Sequence, residues 1–197
     1  MNIQTVRISI EGLSPLLFNR KSLMLDIKTD ANLQKVKAED GLEYENRIFR
    51  EKAHVNAEGF VVVPQTWIKR SLVETQRQNA CPIKPPSAAR KNATMKTQLN
   101  AGFFCEDCVV QYKGSGFKKE DLVPYRSICT IPSTGGSIPV VRPMIPAGWT
   151  VDIDFQIISP EVTESVLREL MTWVGIFAGI GEWRVSNGGQ FGRFKVL

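Results

Sequence analysis

Residues 179–197 read Gly179-Ile-Gly-Glu-Trp-Arg-Val-Ser-Asn-Gly-Gly-Gln-Phe-Gly-Arg-Phe-Lys-Val-Leu197, with five glycines set among aromatic and basic side chains. Glycine permits positive φ and lets a backbone approach another chain closely. Aromatic rings stack on bases, and arginine presents a planar cation to phosphate. This mixture is typical of a surface that binds single-stranded nucleic acid. We call residues Gly179–Phe194 the glycine-rich segment.

Regular structure is predicted on both sides of this segment. Upstream, Thr150–Ile158 alternates apolar and polar residues, which predicts a half-buried strand. Ser159-Pro160-Glu161 then has a cap residue, a first-turn proline and an acid, which together favour a helix start. The helix carries apolar residues at three- and four-residue spacing, namely Val166, Leu167, Leu170, Met171, Val174 and Phe177. Downstream, Gly192–Leu197 is predicted as the last strand, so the segment between is a shaped loop.

The rest of the chain supplies the remaining elements of one fold. Gln4–Glu11 alternates as a strand, and a helix is predicted from Gln65 to about Gln78 after the apolar run Phe60–Val63. Val109–Tyr112 and Ser127–Ile131 are predicted as further strands. The order strand, helix, strands, helix, strand predicts an α+β fold, a ferredoxin-like sandwich of the kind found in RNA-recognition modules.

The composition suits a single globular domain with a polyanionic partner. The 197 residues are 43% hydrophobic and carry a net charge of +5, with a pI near 9.1. We therefore predict one domain over 1–197, with insertions at about 22–58 and 80–137. Within the second insertion, the basic loop Lys84–Lys96 either clamps a nucleic-acid strand or serves as a solubilising segment.

Nothing in the sequence predicts export or a membrane span. The chain lacks a secretory signal pattern, and its longest uncharged apolar run, Leu170–Ile180, is shorter than the roughly 20 residues that cross a bilayer. We expect a soluble, cytoplasmic protein without a membrane partner.

Three segments, in the same order along the chain, resemble the RAMP superfamily of repeat-associated RNA-binding proteins. They are Gly12-Leu-Ser-Pro-Leu-Leu17, Val63-Pro-Gln-Thr-Trp-Ile-Lys-Arg-Ser-Leu72 and the glycine-rich segment, and together they make up about a sixth of the chain. The family includes backbone subunits of CRISPR effector complexes and relatives in phages and mobile elements, which implies a bacterial host cell. This chain departs from the family at Gln65 and Trp67, where small residues are usual, and its middle matches nothing in the family.

The resemblance and the residue chemistry together predict a set of nucleic-acid contacts. These are Arg20, Thr66, Lys69, Arg70, Arg184, Phe191 and Arg193. Arginine and lysine would meet phosphates, and the start of the helix near Thr66 would offer backbone N–H groups to an anion. The purely structural alternatives stay open: a charged surface turn at Arg20, a solvated amphipathic helix, and a C-terminal loop whose aromatic rings pack into the core.

The four cysteines admit a metal site without requiring one. Cys105 and Cys108 have zinc-knuckle spacing, and Cys81 and Cys129 would complete a four-thiolate site only if the fold brought all four together. Ordinary buried thiols are the favoured interpretation. We expect no cofactor.

Enzyme chemistry has little support in the sequence. His54 is the single histidine, and no nucleophile–base constellation or phosphate-binding loop is present. The resemblance leaves one catalytic alternative, which is metal-dependent RNA cleavage by a loop aspartate, Asp26 or Asp30.

Three hypotheses follow. The first is a non-catalytic single-stranded RNA-binding protein, a repeated backbone-type subunit that assembles with copies of itself or related subunits in a CRISPR-like or phage ribonucleoprotein. The second is a phage or mobile-element protein that mimics such a subunit and binds protein partners, as an anti-CRISPR protein would. The third is a metal-dependent endoribonuclease subunit that uses Asp26.

Overall fold

The computed structural model describes residues 3–20, 30–77, 95–130, 135–160 and 162–197. Its α-helices are α1 (Ala31–Glu39), α2 (Gly41–Ile48), α3 (Gln65–Arg77), α4 (Met95–Ala101) and α5 (Glu164–Trp173). Its strands are β1 (Gln4–Gly12), β2 (Leu16–Leu17), β3 (Val62–Val63), β4 (Phe103–Phe104), β5 (Cys108–Val109), β6 (Gln111–Tyr112), β7 (Ser115–Gly116), β8 (Val123–Thr130), β9 (Ser137–Ile145), β10 (Trp149–Ile157) and β11 (Phe194–Val196). Turns of 3₁₀ helix span Phe49–Lys52, Lys119–Asp121 and Val185–Asn187, and the π-helical turn Val174–Ala178 continues α5.

The main sheet is built around β1, which is antiparallel to β10 on one side and to β11 on the other. Among the described residues the strand order is β11-β1-β10-β6-β7, with β4 also paired to β10. Ile8 lies opposite Ile153, and both are fully buried because alternate residues of a strand share one face. The strands predicted at Gln4–Glu11 and Thr150–Ile158 are confirmed to within one residue at each end.

Two helices bury their apolar faces in the core with this sheet. The helix predicted from Gln65 is confirmed as α3, which buries Ile68 and Leu72. Helix α5 buries Leu167 and Leu170 at the predicted spacing. Helices packed with antiparallel sheets make the fold α+β, and the ferredoxin-like prediction is confirmed.

The predicted start of α5 at Ser159-Pro160-Glu161 is wrong. The helix begins at Glu164, and Thr163 is its cap, with Oγ1 accepting a hydrogen bond from the Val166 N–H. Ser159 has other partners, because its N–H donates to the Gly102 carbonyl and its hydroxyl bonds to Gln98. The tertiary contact with α4 thus outweighs the local capping pattern.

The middle strands differ in extent from the predictions. The predicted strand Val109–Tyr112 divides into β5 and β6 at Val110, whose N–H donates to the Val61 carbonyl while its carbonyl accepts from Phe117. The predicted strand Ser127–Ile131 coincides from Ser127 to Thr130 with the second half of a longer strand, β8, which begins at Val123, and Ile131 lies outside the described residues. Strand β8 pairs with β9 to form the β8–β9 hairpin.

The predicted insertion 22–58 contains regular helix in its described part, which includes α1 and α2. A buried ion pair between Lys52 and Glu45 binds this helical part to strand β9 of the hairpin. Lys52 Nζ donates to Glu45 Oε2 at 2.5 Å and to the Val141 carbonyl at 3.1 Å, and the Val141 N–H donates to the same Glu45 oxygen at 2.8 Å. Both polar groups of one β9 residue are therefore held by the helical segment.

Candidate nucleic-acid interface

The glycine-rich segment is a folded loop, held by backbone hydrogen bonds to the chain that follows β1. Gly192 accepts from the Ile180 N–H at 3.0 Å and donates to the Pro15 carbonyl at 2.9 Å. The Glu182 N–H donates to the Leu17 carbonyl at 2.9 Å. The segment is therefore held in place against β2 and the turn that precedes it.

Glycine is required in this loop for close backbone approach. A Cβ at Gly192 would lie 1.7 Å from the Ile180 carbonyl oxygen, and a Cβ at Gly189 would lie 1.7 Å from the Trp183 carbonyl oxygen. Gly192 also has φ of +69°, which side chains rarely adopt. The sequence prediction of a shaped loop agrees with this geometry.

Arg184 is a buried structural cation in this loop. Its guanidinium donates to both carboxylate oxygens of Glu74 on α3 at 2.8–3.2 Å and to the Gly181 carbonyl at 3.1 Å, and Arg184 is only 7% exposed. Ser186 adds a further bond to Glu74. Arg184 was predicted to contact phosphate, but its donors bond to Glu74 and to the Gly181 carbonyl. In this structure it therefore links the loop to α3.

The Glu74 carboxylate is stabilised in its charged form. Burial by itself would raise the pKa of Glu74, but hydrogen bonds from Arg184, Arg70 and Ser186 outweigh that effect and hold the pKa below its ordinary value. One Glu74 charge is thus shared by two arginines, Arg184 and Arg70, so the positive charge exceeds the negative charge at this point of α3.

The aromatic side chains of the segment dock against the β8–β9 hairpin. Phe191, which was predicted to stack on a base, is half-buried with its ring 5.1 Å from that of Tyr125. The Arg142 guanidinium lies 4.0 Å from the ring centroid of Trp183. Trp183 has φ of +49°. Phe191 therefore belongs to an aromatic cluster with one side still accessible.

Three of the predicted contacts come together on one face of α3. Thr66, Lys69 and Arg70 are spaced at i, i+3 and i+4, which places them side by side on a helix. They line a groove of about 320 Å³ with Val73, Glu74 and, from α4, Asn100. The Arg70 side chain is 67% exposed while its Nε donates to Glu74 at 2.9 Å. The groove therefore combines two cations and one carboxylate with a hydroxyl and an amide.

The first turn of α3 already holds an anion supplied by the chain itself. Asp107 Oδ1 accepts a hydrogen bond from the Gln65 N–H at 2.9 Å. This carboxylate occupies the place at which the sequence predicted a phosphate to meet backbone N–H groups near Thr66. An external anion is thus directed to the side chains of Lys69 and Arg70 and away from the helix end.

Arg70 connects the groove to the glycine-rich segment. A smaller cavity of about 70 Å³ is lined by Trp67, Arg70 and Ser71 of α3 together with Gly181, Glu182 and Arg184 of the segment. Arg70 lines both this cavity and the larger groove. The ring of Trp67 packs 5.4 Å from Phe18 and edge-on to His54 at 5.2 Å. The groove and the loop are therefore parts of one surface.

Arg20 lies at the His54 end of this surface, and its N–H donates to the Lys52 carbonyl at 2.7 Å. Burial lowers the pKa of His54, and the positive charge of Arg20 lowers it further. Arg193 belongs to another neighbourhood, because its Nη1 donates to the Ile176 carbonyl at 2.9 Å beside the exposed ring of Phe177. The structure thus separates Arg193 from the contacts predicted on α3.

The described cysteines and Asp30, which were candidate residues for a metal site, have other environments in the structure. Burial raises the pKa of the Cys105 thiol to about 11 and that of Cys108 to about 12, whereas Cys129 lies on the hairpin with Sγ 3.5 Å from Arg142. Asp30 caps α1 by accepting from the N–H groups of Asn32 and Leu33. No group of three or more histidine, cysteine or acidic residues in the described parts of the chain is arranged to hold a metal ion.

Several sequence predictions fall outside the described residues. They concern Cys81, Asp26 and most of the basic loop Lys84–Lys96. Among the helices that are described, none is both long enough and apolar enough to cross a membrane.

Sequence reasoning missed the residues that assemble this surface. Glu74 was detectable in part, since it follows Arg70 by four positions on a predicted helix. Asp107, Tyr125 and Arg142 carry no local signal, because each meets its partner across more than 40 residues of chain.

Comparison with known proteins identifies the fold. No known family profile matches the chain, and no curated protein matches its sequence. The crystal structure of Cmr6 from Pyrococcus furiosus is similar with a TM-score of 0.50 and 9% identity over 100% of both chains. Cas6 from Thermus thermophilus has a TM-score of 0.33 and 12% identity, over 97% of this chain and 53% of that chain. At 9% identity the similarity to Cmr6 is a similarity of fold alone.

Proposed function

We propose that this chain is a non-catalytic, single-stranded RNA-binding protein that works as a subunit of a multisubunit ribonucleoprotein. The observation that carries the proposal is the alignment of Thr66, Lys69 and Arg70 along one groove of α3, which Arg70 joins to the cavity beneath the glycine-rich segment. The RAMP-like fold and the family resemblance favour RNA as the strand and related subunits as partners.

Charge explains how the groove would hold a phosphodiester. The single Glu74 carboxylate is shared by Arg184 and the largely exposed Arg70, so these three residues and Lys69 leave a net positive charge at the groove. Thr66 and Asn100 add neutral hydrogen-bonding groups. Cations with neutral donors suit contact with phosphate and sugar, which gives affinity without sequence preference.

The test is a titration of labelled 20-nucleotide RNA by fluorescence anisotropy across a range of salt concentrations, with single-stranded DNA and duplex RNA as competitors. Lys69→Ala and Arg70→Ala should each weaken binding and should each reduce the slope of log K against log salt by about one. Arg47→Ala is the matched control, since Arg47 is also an exposed arginine in an i,i+4 ion pair on a helix.

Three results would count against the proposal. They are the absence of binding to every polymer at low salt, an equal loss of affinity in Arg47→Ala, and a preference for duplex over single strand.

A protein-binding role is the second candidate, and it rests on exposed apolar side chains. Ile176 and Phe177, in the π-helical turn that continues α5, are 46% and 41% exposed, and Phe177 stacks on Trp173 at 5.1 Å. Ile176→Ser with Phe177→Ser should abolish co-purification with a protein partner while leaving RNA affinity unchanged. If the double variant loses RNA affinity and keeps the partner, this role is excluded for the patch.

Metal-dependent cleavage has a direct test as well. Bound RNA incubated with Mg²⁺ or Mn²⁺ should stay intact if the chain is non-catalytic. Cleavage that disappears in Asp26→Ala and persists in Asp30→Ala would instead support the nuclease alternative, because Asp30 is committed to capping α1.

A further inference from the structure

A second pocket lies at the base of the β8–β9 hairpin, apart from the α3 groove. It has a volume of about 370 Å³, within the range of small-ligand sites. Its apolar walls are Tyr112, Phe117, Val123 and Pro146, and its polar side chains are Lys113, Ser115 and Asp121. The pocket is therefore mainly apolar, with one cation and one carboxylate.

The aromatic wall presents a flat ring to the pocket. Tyr112 is half-buried and meets the edge of the buried Phe117 ring at 5.8 Å. This contact fixes the orientation of Tyr112 and leaves part of the ring accessible. The tight turn that follows Tyr112, with φ of +51° at Lys113 and +82° at Gly114, folds β7 back against β6. The position of the ring is thus set by the backbone of the β6–β7 hairpin.

The charges of the pocket restrict what it accepts. Lys113 Nζ lies 5.4 Å from the centroid of the Tyr112 ring, so a cation already occupies the position that a cationic ligand would take. A ligand with an anionic group would draw this flexible ammonium away from the ring and pair with it. Asp121, when ionised, only accepts hydrogen bonds, so the ligand must also present a donor. The third feature of the ligand is a planar ring that can stack on Tyr112.

We infer that this pocket binds a nucleotide unit whose base carries an exocyclic amino group, with the base on Tyr112, the amino group on Asp121 and the phosphate on Lys113. A nucleoside 5′-monophosphate has all three features: a planar ring, an amino donor in cytosine, adenine or guanine, and a phosphate. Uracil presents a carbonyl oxygen where cytosine presents its amino group, and the Asp121 carboxylate repels that oxygen. The pocket therefore discriminates cytosine from uracil.

The location fits a strand that also uses the surface described above, and in this respect the inference rests on the proposed function. Val123 in the pocket and Tyr125 in the aromatic cluster are two residues apart on β8, so both lie on the same strand face about 7 Å apart. Tyr125 contacts Phe191 of the glycine-rich segment. A strand that passes the glycine-rich segment thus reaches the pocket within one or two nucleotides.

The test compares CMP with UMP, which differ only at the amino and carbonyl group of the base and the adjacent ring proton. Binding is measured by NMR titration of the full chain carrying Lys69→Ala and Arg70→Ala, which removes nucleotide binding at the α3 groove. CMP should bind about tenfold more tightly than UMP. Asp121→Asn should bring the ratio close to one, because an amide both donates and accepts.

Two variants complete the design. Tyr112→Leu should weaken both nucleotides by about tenfold through loss of stacking. Glu120→Gln is the matched control, because Glu120 is an exposed acid on the same 3₁₀ turn and does not line the pocket. It should leave the preference for CMP intact.

The outcomes separate this inference from the proposed function. Equal binding of CMP and UMP, or no saturable binding of either, overturns the pocket whatever the RNA titration shows. A preference for CMP that survives Asp121→Asn also overturns it. If the unmodified chain does not bind RNA but still prefers CMP to UMP, the pocket is a site for free nucleotides. The proposed function is then excluded, and the inference about the pocket stands. Cytosine-rich RNA that binds more tightly than uracil-rich RNA supports both.

Discussion

Arg184 donates three hydrogen bonds to the carboxylate of Glu74, and this pair links the glycine-rich segment to helix α3. The residues are 110 positions apart, and both are largely buried, with side-chain exposures of 8% and 17%. A buried arginine with a two-oxygen partner is geometrically demanding, since the planar guanidinium fits a carboxylate in few orientations. The pair therefore fixes the loop relative to the groove on α3.

Removing one partner of this pair should be costly. Glu74→Ala leaves the Arg184 guanidinium buried without its counter-charge, and we expect a loss of about 3 kcal/mol in the free energy of unfolding. Glu43→Ala, which removes the partner of Arg47 in an exposed i,i+4 pair, should lose less than about 1 kcal/mol. Urea denaturation followed by circular dichroism measures both, and similar losses would show that the Arg184 pair has no structural role.

Much of the fold was predictable because the information is local. The alternation in β1 and β10 reflects burial of one strand face, and the helical spacing in α3 and α5 reflects burial of one helix face. The contacts at the candidate site depend on residues that are far apart in sequence. Arg184 was predicted to contact phosphate from its type and neighbours alone, and nothing near it in sequence indicates a carboxylate 110 residues away. Asp107 at the start of α3 escaped prediction for the same reason.

Two adjacent glycines, Gly188 and Gly189, are needed in the loop for different reasons, one for its backbone conformation and the other for lack of space. A Cβ at Gly189 would collide with the Trp183 carbonyl oxygen at 1.7 Å, whereas Gly188 has open space around it and φ of +78°. Gly188→Ala should therefore lose about 1 kcal/mol from backbone strain alone. Gly189→Ala should lose substantially more and displace the loop, which thermal denaturation and the near-ultraviolet signal of Trp183 would report. Equal losses in the two variants would contradict the packing described here.

His54 gives a pH-dependent signal that is easy to assign, because the chain has one histidine. Burial and the charge of Arg20 lower its pKa below 6.5 in the folded chain, so the unfolded chain binds the proton more tightly. The stabilising contribution is fully present above pH 6.5 and is lost as the pH falls through 6.5 towards the folded pKa. NMR titration of the imidazole C2–H should give a value below 6.5, and Arg20→Gln should raise it.

The comparison that would contradict this assignment uses the same signal. In urea the imidazole should titrate near 6.5, and in His54→Gln the loss of stability between pH 7 and pH 5 should diminish. A folded pKa at or above 6.5 would mean that the imidazole is solvated and away from Arg20.

The contact of Arg142 with Trp183 should be energetically coupled, since the guanidinium is buried and lies 4.0 Å from the ring centroid. A double-mutant cycle with Arg142→Met and Trp183→Leu should give a coupling free energy of about 2 kcal/mol, because a desolvated cation interacts with a ring more strongly than a hydrated one. Lys37 and Tyr44 provide the matched control, with an exposed ammonium 5.4 Å from the ring centroid. The cycle with Lys37→Met and Tyr44→Leu should give less than about 1 kcal/mol. If the two couplings are equal, burial of Arg142 contributes nothing to the attachment of the glycine-rich segment to the hairpin.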